Sequence, residues 1–171
     1  MADRTIVAVH EAGHYVAARA RGIPIRYATL DDPEAGPHVQ LRLSRDEIDA
    51  DPAVALAFAE FLLAGAAAVA RYRPAAADRG DADDLKAARA TLDRLYRDPR
   101  AARLALEGLR RRTAALLAAH WSAVIDVAGV LLAEGTLGPT RIAAPLAAEA
   151  GHCCAGWGGG AHIKLSPHGR R

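Results

Sequence analysis

The chain has 171 residues, of which 22 are Lys or Arg and 20 are Asp or Glu, so its net charge is +2 with neutral histidines. This length suits one domain with a core of its own. The basic residues are scattered, and the densest run, Arg110 to Arg112, is typical of a solvated helix face, so the composition argues against nucleic acid as a partner. No secretory leader pattern is present near Met1, and we therefore expect a cytoplasmic protein.

The first predicted helix contains the sequence His10-Glu11-Ala12-Gly13-His14, which is the H-E-x-x-H pattern of zinc peptidases. Four residues advance an α-helix by slightly more than one turn, so His10 and His14 project from one face and can share a metal ion. Glu11 lies about 100° further round the helix, where a carboxylate can act as a general base on water. The pattern therefore predicts a catalytic zinc site with Glu11 as its base.

Local features of this helix indicate that one face is buried. Asp3 is a suitable N-cap, and Gly22 followed by Pro24 ends the helix. Gly13 costs a helix interior about 1 kcal/mol relative to alanine, which indicates a packing or close-approach reason for it. The alternative interpretation of the two histidines and the glutamate is the polar face of an amphipathic helix.

Two short segments after this helix, 26–30 and 38–43, alternate polar and apolar residues and are joined by a turn rich in Pro, Gly and Asp. They predict a small β-hairpin. The edge of segment 38–43 could hold an extended peptide near a metal by main-chain hydrogen bonds. Alternatively, the strand merely covers the core.

Residues from Ser44 to about Ala147 are rich in Ala, Leu and Arg with helical periodicity, and they predict about four helices. Helix-breaking residues separate these helices near Pro74, near Pro99 and over 135–139. The apolar segment 52–70 has the length of a membrane span, about 20 residues. We interpret it as a core helix because it contains Glu60 and many alanines, and we expect no membrane span.

A catalytic zinc usually has three protein ligands, so the two histidines leave one ligand to find. The metzincin pattern is excluded because Ala17 and Ala20 stand where that class has glycine and histidine. Glu60 is one candidate, and the acidic cluster at the start of another helix is a better one; its members are Asp81, Asp83 and Asp84. Alternatively, Asp81 caps that helix and the other two carboxylates stabilise its N-terminal dipole without touching metal.

Residues 148–171 form a tail that is rich in Gly and His and poor in core-forming residues. Its two cysteines, Cys153 and Cys154, are adjacent, which is a poor geometry for a structural disulfide and indicates a reducing compartment. A second metal site with the tail histidines is an alternative, but the spacing does not support it. We expect a flexible tail with free thiols.

Four motifs follow one another along the chain: HEAGH at 10–14, LLAGAAA at 62–68, GDADDL at 80–85 and LLAEGTL at 131–137. In this order and at these separations, they resemble the peptidase domain of FtsH-type membrane AAA proteases. The resemblance covers residues 1–147 and implies a mainly α, zincin-like helical peptidase domain with a small β-hairpin or short sheet. Matched position by position, it implies that His10, His14 and Asp84 are the zinc ligands and that Glu11 is the catalytic base.

The chain departs from this family at two points. Val69 stands where the family's second motif normally has a glutamate. The 171 residues also contain no G-x-x-x-x-G-K-[ST] motif that would cradle ATP phosphates. We therefore expect a peptidase that cuts flexible substrates, either alone, as a homo-oligomer, or with a separate ATPase or adaptor as partner.

The sequence thus predicts a zinc-dependent, ATP-independent endopeptidase that hydrolyses peptide bonds in flexible or unfolded polypeptides. Its Zn²⁺ cofactor would be held by His10, His14 and Asp84. The alternative is a non-proteolytic binding or regulatory module that retains the metallopeptidase fold. The intact Glu11 favours the enzyme, because a scaffold has no chemical need for that carboxylate beside two ligands.

Overall fold

The computed structural model describes residues 3–76 and 82–139. In these ranges the chain is mainly helical with a small sheet, so the predicted fold class is confirmed. The elements in chain order are α1 (Arg4–Ala20), β1 (Ile25–Thr29), β2 (His38–Leu41), α2 (Arg45–Ala50), α3 (Pro52–Tyr72), a 3-10 turn (Pro74–Ala76), α4 (Ala82–Leu95), α5 (Pro99–Ala119), α6 (Trp121–Glu134) and β3 (Thr136–Leu137). The predicted tail 148–171 with Cys153 and Cys154, the domain boundary at 147 and Asp81 lie outside the described residues.

Helices α1 and α3 pack closely, and Gly13 is the reason that they can. A Cβ atom at Gly13 would lie 2.6 Å from the carbonyl oxygen of Ala64 and 2.7 Å from the Cβ of Ala68, both on α3. Only glycine leaves room for that approach, so the predicted packing reason for Gly13 is confirmed. This close contact fixes the histidine face of α1 against α3.

Helix α3 lies in the middle of the helical layer, against α1, α4 and α5. Asp51 caps it by accepting a hydrogen bond from the backbone N–H of Ala53 at 2.8 Å, and Pro52 occupies its first turn. Ten of its 21 residues are buried, as the interpretation of a core helix requires. Among the described residues, it is also the one unbroken helix that is long and apolar enough to cross a membrane.

The sheet has the strand order β2-β1-β3, and both pairings are antiparallel. The predicted hairpin is confirmed, with Thr29 opposite His38 and a bulge between Ile25 and Tyr27. The third strand was not predicted. It forms because Gly135, with φ of 74°, ends α6 and turns the chain back beside β1, where Leu30 donates a backbone hydrogen bond to the Gly135 carbonyl at 2.8 Å.

Three predicted helix boundaries, two at capping aspartates and one at a proline, are confirmed. Asp3 accepts a hydrogen bond from the Thr5 N–H at 3.0 Å at the start of α1. Asp98 caps α5 in the same way through the Arg100 N–H at 2.9 Å, with Pro99 in the first turn. The chain also breaks at Pro74, where α3 gives way to the 3-10 turn.

Candidate metal centre

Three side chains from two helices converge on one point. His10 and His14 lie on α1, and their Nε2 atoms are 3.0 Å apart. Asp84, in the first turn of α4, places its Oδ2 atom 3.1 Å from each of these nitrogens. Within the described residues, these side chains form a group whose ligand atoms are close enough to hold a metal ion. Two imidazoles and a carboxylate are the donor types that zinc takes in catalytic sites.

The ring of His14 is oriented by α3. Its Nδ1 atom lies 2.7 Å from the carbonyl oxygen of Phe61, which can only accept, so Nδ1 carries a hydrogen and donates it. In the neutral ring, the lone pair is then on Nε2, which faces His10 and Asp84. A histidine that donates from one nitrogen to a backbone carbonyl and presents the other to a metal is a recurring arrangement in metal sites.

The electrostatics of the group favour a positive charge at its centre. Burial alone would lower the pKa of His14, but the hydrogen bond and the charge of Asp84 outweigh burial and raise it. Burial would raise the pKa of Asp84, but hydrogen bonds from His10 and His14 hold it well below its usual range. A metal ion at this point would take the place of the proton that the group otherwise binds.

Gly65 on α3 provides the space in which the two imidazoles meet. A Cβ atom at this position would lie 2.5 Å from the Nε2 atoms of both His10 and His14. No side chain other than hydrogen fits there without displacing the ligand atoms. Gly65 lies in the LLAGAAA motif, so the family resemblance pointed to the segment, although the sequence alone did not indicate this role for the glycine.

We predict that Gly65→Ala lowers zinc affinity by about tenfold or more, because the added methyl group displaces both Nε2 atoms. Gly108→Ala on α5 is the matched control, since a Cβ atom there meets nothing within 4 Å. That control should keep zinc affinity and gain up to about 1 kcal/mol from helix propensity. Competition titration with a zinc indicator compares the three proteins, and equal affinity for Gly65→Ala would show that the imidazoles do not meet at this glycine.

Glu11 is not part of the ligand group, but the charges of His10, His14 and Asp84 act on its carboxyl. Its side chain is buried, and no hydrogen-bond donor among the described residues contacts its carboxylate. Burial raises the pKa of Glu11, opposed by the charges of His14 and His10. A carboxylate in this setting is free to accept a proton from water.

The alternative third ligands lie elsewhere. Glu60 is buried in α3, where its carboxylate forms ion pairs with Arg21 at the end of α1 and with Arg112 on α5, the latter at 3.0 Å. Asp83 is exposed in the first turn of α4 and is outside the ligand group. Both arginine partners of Glu60 are distant in sequence, so no local pattern indicated this role.

Glu60→Ala is therefore expected to lower the free energy of unfolding by about 1–3 kcal/mol and to leave zinc affinity unchanged. The carboxylate bonds to two arginines that join three helices, but Arg21 and Arg112 are partly exposed and can turn to water. Urea unfolding in the presence of chelator measures the first effect, and zinc titration measures the second. If Glu60→Ala loses zinc binding while its stability is unchanged, Glu60 is a zinc ligand.

Strand β2 lies near this centre. It packs on α1, and the charge of His38 at its start acts on Glu11 and lowers the pKa of that carboxyl against the effect of burial. Within the part of the chain that the structure describes, β2 pairs with β1 on one side and has no strand partner on the other. Its outer edge therefore offers unpaired backbone groups to an extended chain.

Comparison of the sequence with protein-family models and with curated proteins gives no match. The resemblance to the FtsH peptidase domain therefore depends on the four sequence motifs.

Proposed function

We propose that this chain is a zinc-dependent endopeptidase similar to the peptidase domain of FtsH-type proteases. The observation that carries the proposal is the convergence of His10, His14 and Asp84, whose charges act on the buried carboxyl of Glu11. Two imidazoles from α1 and one carboxylate from α4, both helices packed on α3, suit a site with three protein ligands and one open position. The same residue types occupy the matching positions of the FtsH motifs.

The chemistry assigned to each group follows from its environment. Zinc, when bound, would make water more acidic and polarise the peptide carbonyl. Glu11 accepts the proton from the attacking water and passes it to the leaving amine, since it has no competing hydrogen-bond donor among the described residues. The Phe61 carbonyl keeps the ring of His14 in the orientation that presents Nε2.

We further propose that substrates bind as extended, unfolded segments along the outer edge of β2. Main-chain hydrogen bonds to such an edge are independent of side-chain sequence, which suits an endopeptidase for unfolded chains. With no ATP-binding motif in the 171 residues, the chain would act on substrates that are already flexible, in the cytoplasm, or together with an unfolding partner.

The decisive test combines metal content and hydrolysis. Protein purified without added metal should contain close to one zinc per chain and should cleave unfolded casein, and chelator should remove both properties. Folded proteins without flexible segments should resist cleavage. Zinc binding without any cleavage would support the binding-module alternative instead, and absence of zinc uptake would remove the proposal.

A further inference from the structure

Arg110, Arg111 and Arg112 are all exposed residues of α5, but their side chains lie against different groups. Arg112 forms an ion pair with the buried Glu60 at 3.0 Å. Arg111 is exposed on the outer face of α5. Arg110 lines a cavity that also reaches the metal ligand Asp84. One of the three arginines therefore lies beside the candidate metal centre, although the run as a whole resembles a solvated face.

The cavity lies between α3, α4 and α5 and has a volume of about 250 Å³. Its apolar wall consists of Leu62, Leu63, Ala66, Ala67 and Ala70 on α3 together with Leu85 on α4. The alanines lie one and two helical turns after the leucines, on the same face of α3. Because their side chains are small, they leave the space between the helices open. The cavity can therefore take a substrate side chain next to the metal centre.

Arg110 is the cation of this cavity. Several other arginines of the described residues are paired with carboxylates, as in Arg94 with Asp49 and Arg73 with Asp3. Arg110 has no carboxylate partner among the described residues, and Asp84 is engaged by the two histidines. A guanidinium beside an apolar wall matches a ligand with a short hydrocarbon stem and a terminal carboxylate.

We propose that Arg110 is a specificity residue that binds the carboxylate of a glutamate side chain in the substrate, close to the bond that is cleaved. The two methylene groups of glutamate would lie against the leucine and alanine wall, and its carboxylate would reach the guanidinium. A lysine or arginine in the same place would meet the like charge of Arg110. This inference rests on the proposed peptidase function.

Peptide binding tests the inference directly. The probes are an acetylated, amidated ten-residue peptide of Gly and Ala with one central Glu, and the same peptide with Gln. Their binding to zinc-loaded Glu11→Gln protein is measured by calorimetry, so that no substrate is consumed. The Glu peptide should bind about tenfold more tightly than the Gln peptide, since one charge-assisted contact distinguishes them. Adding Arg110→Gln should bring this ratio to about one.

Arg111→Gln is the matched control, because it removes the same charge from the neighbouring exposed residue, which does not line the cavity, and should keep the ratio. The preference should also weaken as salt rises. A third probe without Glu but with a free C-terminal carboxylate separates the two sources of this chemistry. Should Arg110 select the free C-terminus and not the Glu side chain, the glutamate assignment is overturned.

Casein cleavage by the parent distinguishes failure of the pocket from failure of the peptidase. If casein is cleaved but Arg110→Gln and Arg111→Gln show the same Glu-to-Gln ratio, the role of Arg110 is overturned and the peptidase proposal stands. If casein is not cleaved while Arg110 still selects the Glu peptide, the carboxylate site stands and the peptidase proposal fails. If casein is not cleaved and Arg110→Gln does not change the Glu-to-Gln ratio, both the peptidase proposal and the role of Arg110 are overturned.

Discussion

Glu11→Gln is expected to abolish peptide hydrolysis while the fold and the zinc content are kept. The amide has the shape of the carboxylate but cannot accept the proton of water, so the loss should be about 10²–10⁴-fold or more. In the metal-free protein burial raises the pKa of Glu11, which means that the ionised group there destabilises the folded state at neutral pH. The neutral amide removes this cost, so the free energy of unfolding measured in chelator should be unchanged or higher.

The combination of lost activity and kept stability separates a catalytic role from a structural one. Rates on a fluorogenic peptide, zinc content and urea unfolding are measured on the same preparations. Glu107→Gln is the control, since it makes the same chemical change on the exposed surface of α5. Hydrolysis by Glu11→Gln at the parent rate would show that another group takes the proton.

The part of the site that lies on one helix could be predicted from the sequence. His10 and His14 need only the helical repeat to share a face, and their Nε2 atoms do lie 3.0 Å apart. Asp84 is 70 residues from His14, and its position depends on how α4 packs against α3. No local pattern determines that packing, so the residues alone left Glu60 and the cluster of Asp81, Asp83 and Asp84 open, and the resemblance singled out Asp84.

The same division applies to the fold. The hairpin of β1 and β2 follows from alternation and a turn, which are local properties. Strand β3 has two residues, Thr136 and Leu137, too few for any alternation, and it exists because Gly135 directs the chain against β1. The burial of Glu60 depends likewise on Arg21 and Arg112, which only the folded chain brings together.

Asp84→Ala should weaken zinc binding more than about 100-fold, which exceeds the usual effect of changing a group that merely orients a ligand. Zinc at a thousandfold excess over its Kd stabilises a protein by about 4 kcal/mol, so the parent should melt well above the metal-free protein. Asp84→Ala should lose most of this difference. The melting temperature with zinc and with chelator is measured for each protein at the same concentration.

Asp83→Ala is the control that tests the competing role of these carboxylates. Asp83 is exposed in the same first turn of α4, so its removal should cost about 0.3–1 kcal/mol through the helix dipole. A helix-stabilising carboxylate acts with or without metal, so this cost should be equal in zinc and in chelator. Removal of a zinc ligand lowers stability mainly when zinc is present, because the bond to the metal adds to the folding free energy only in the zinc-bound protein. If Asp84→Ala instead behaves like Asp83→Ala under both conditions, Asp84 serves the helix and not the metal, and the likeness to the FtsH peptidase domain loses its third ligand.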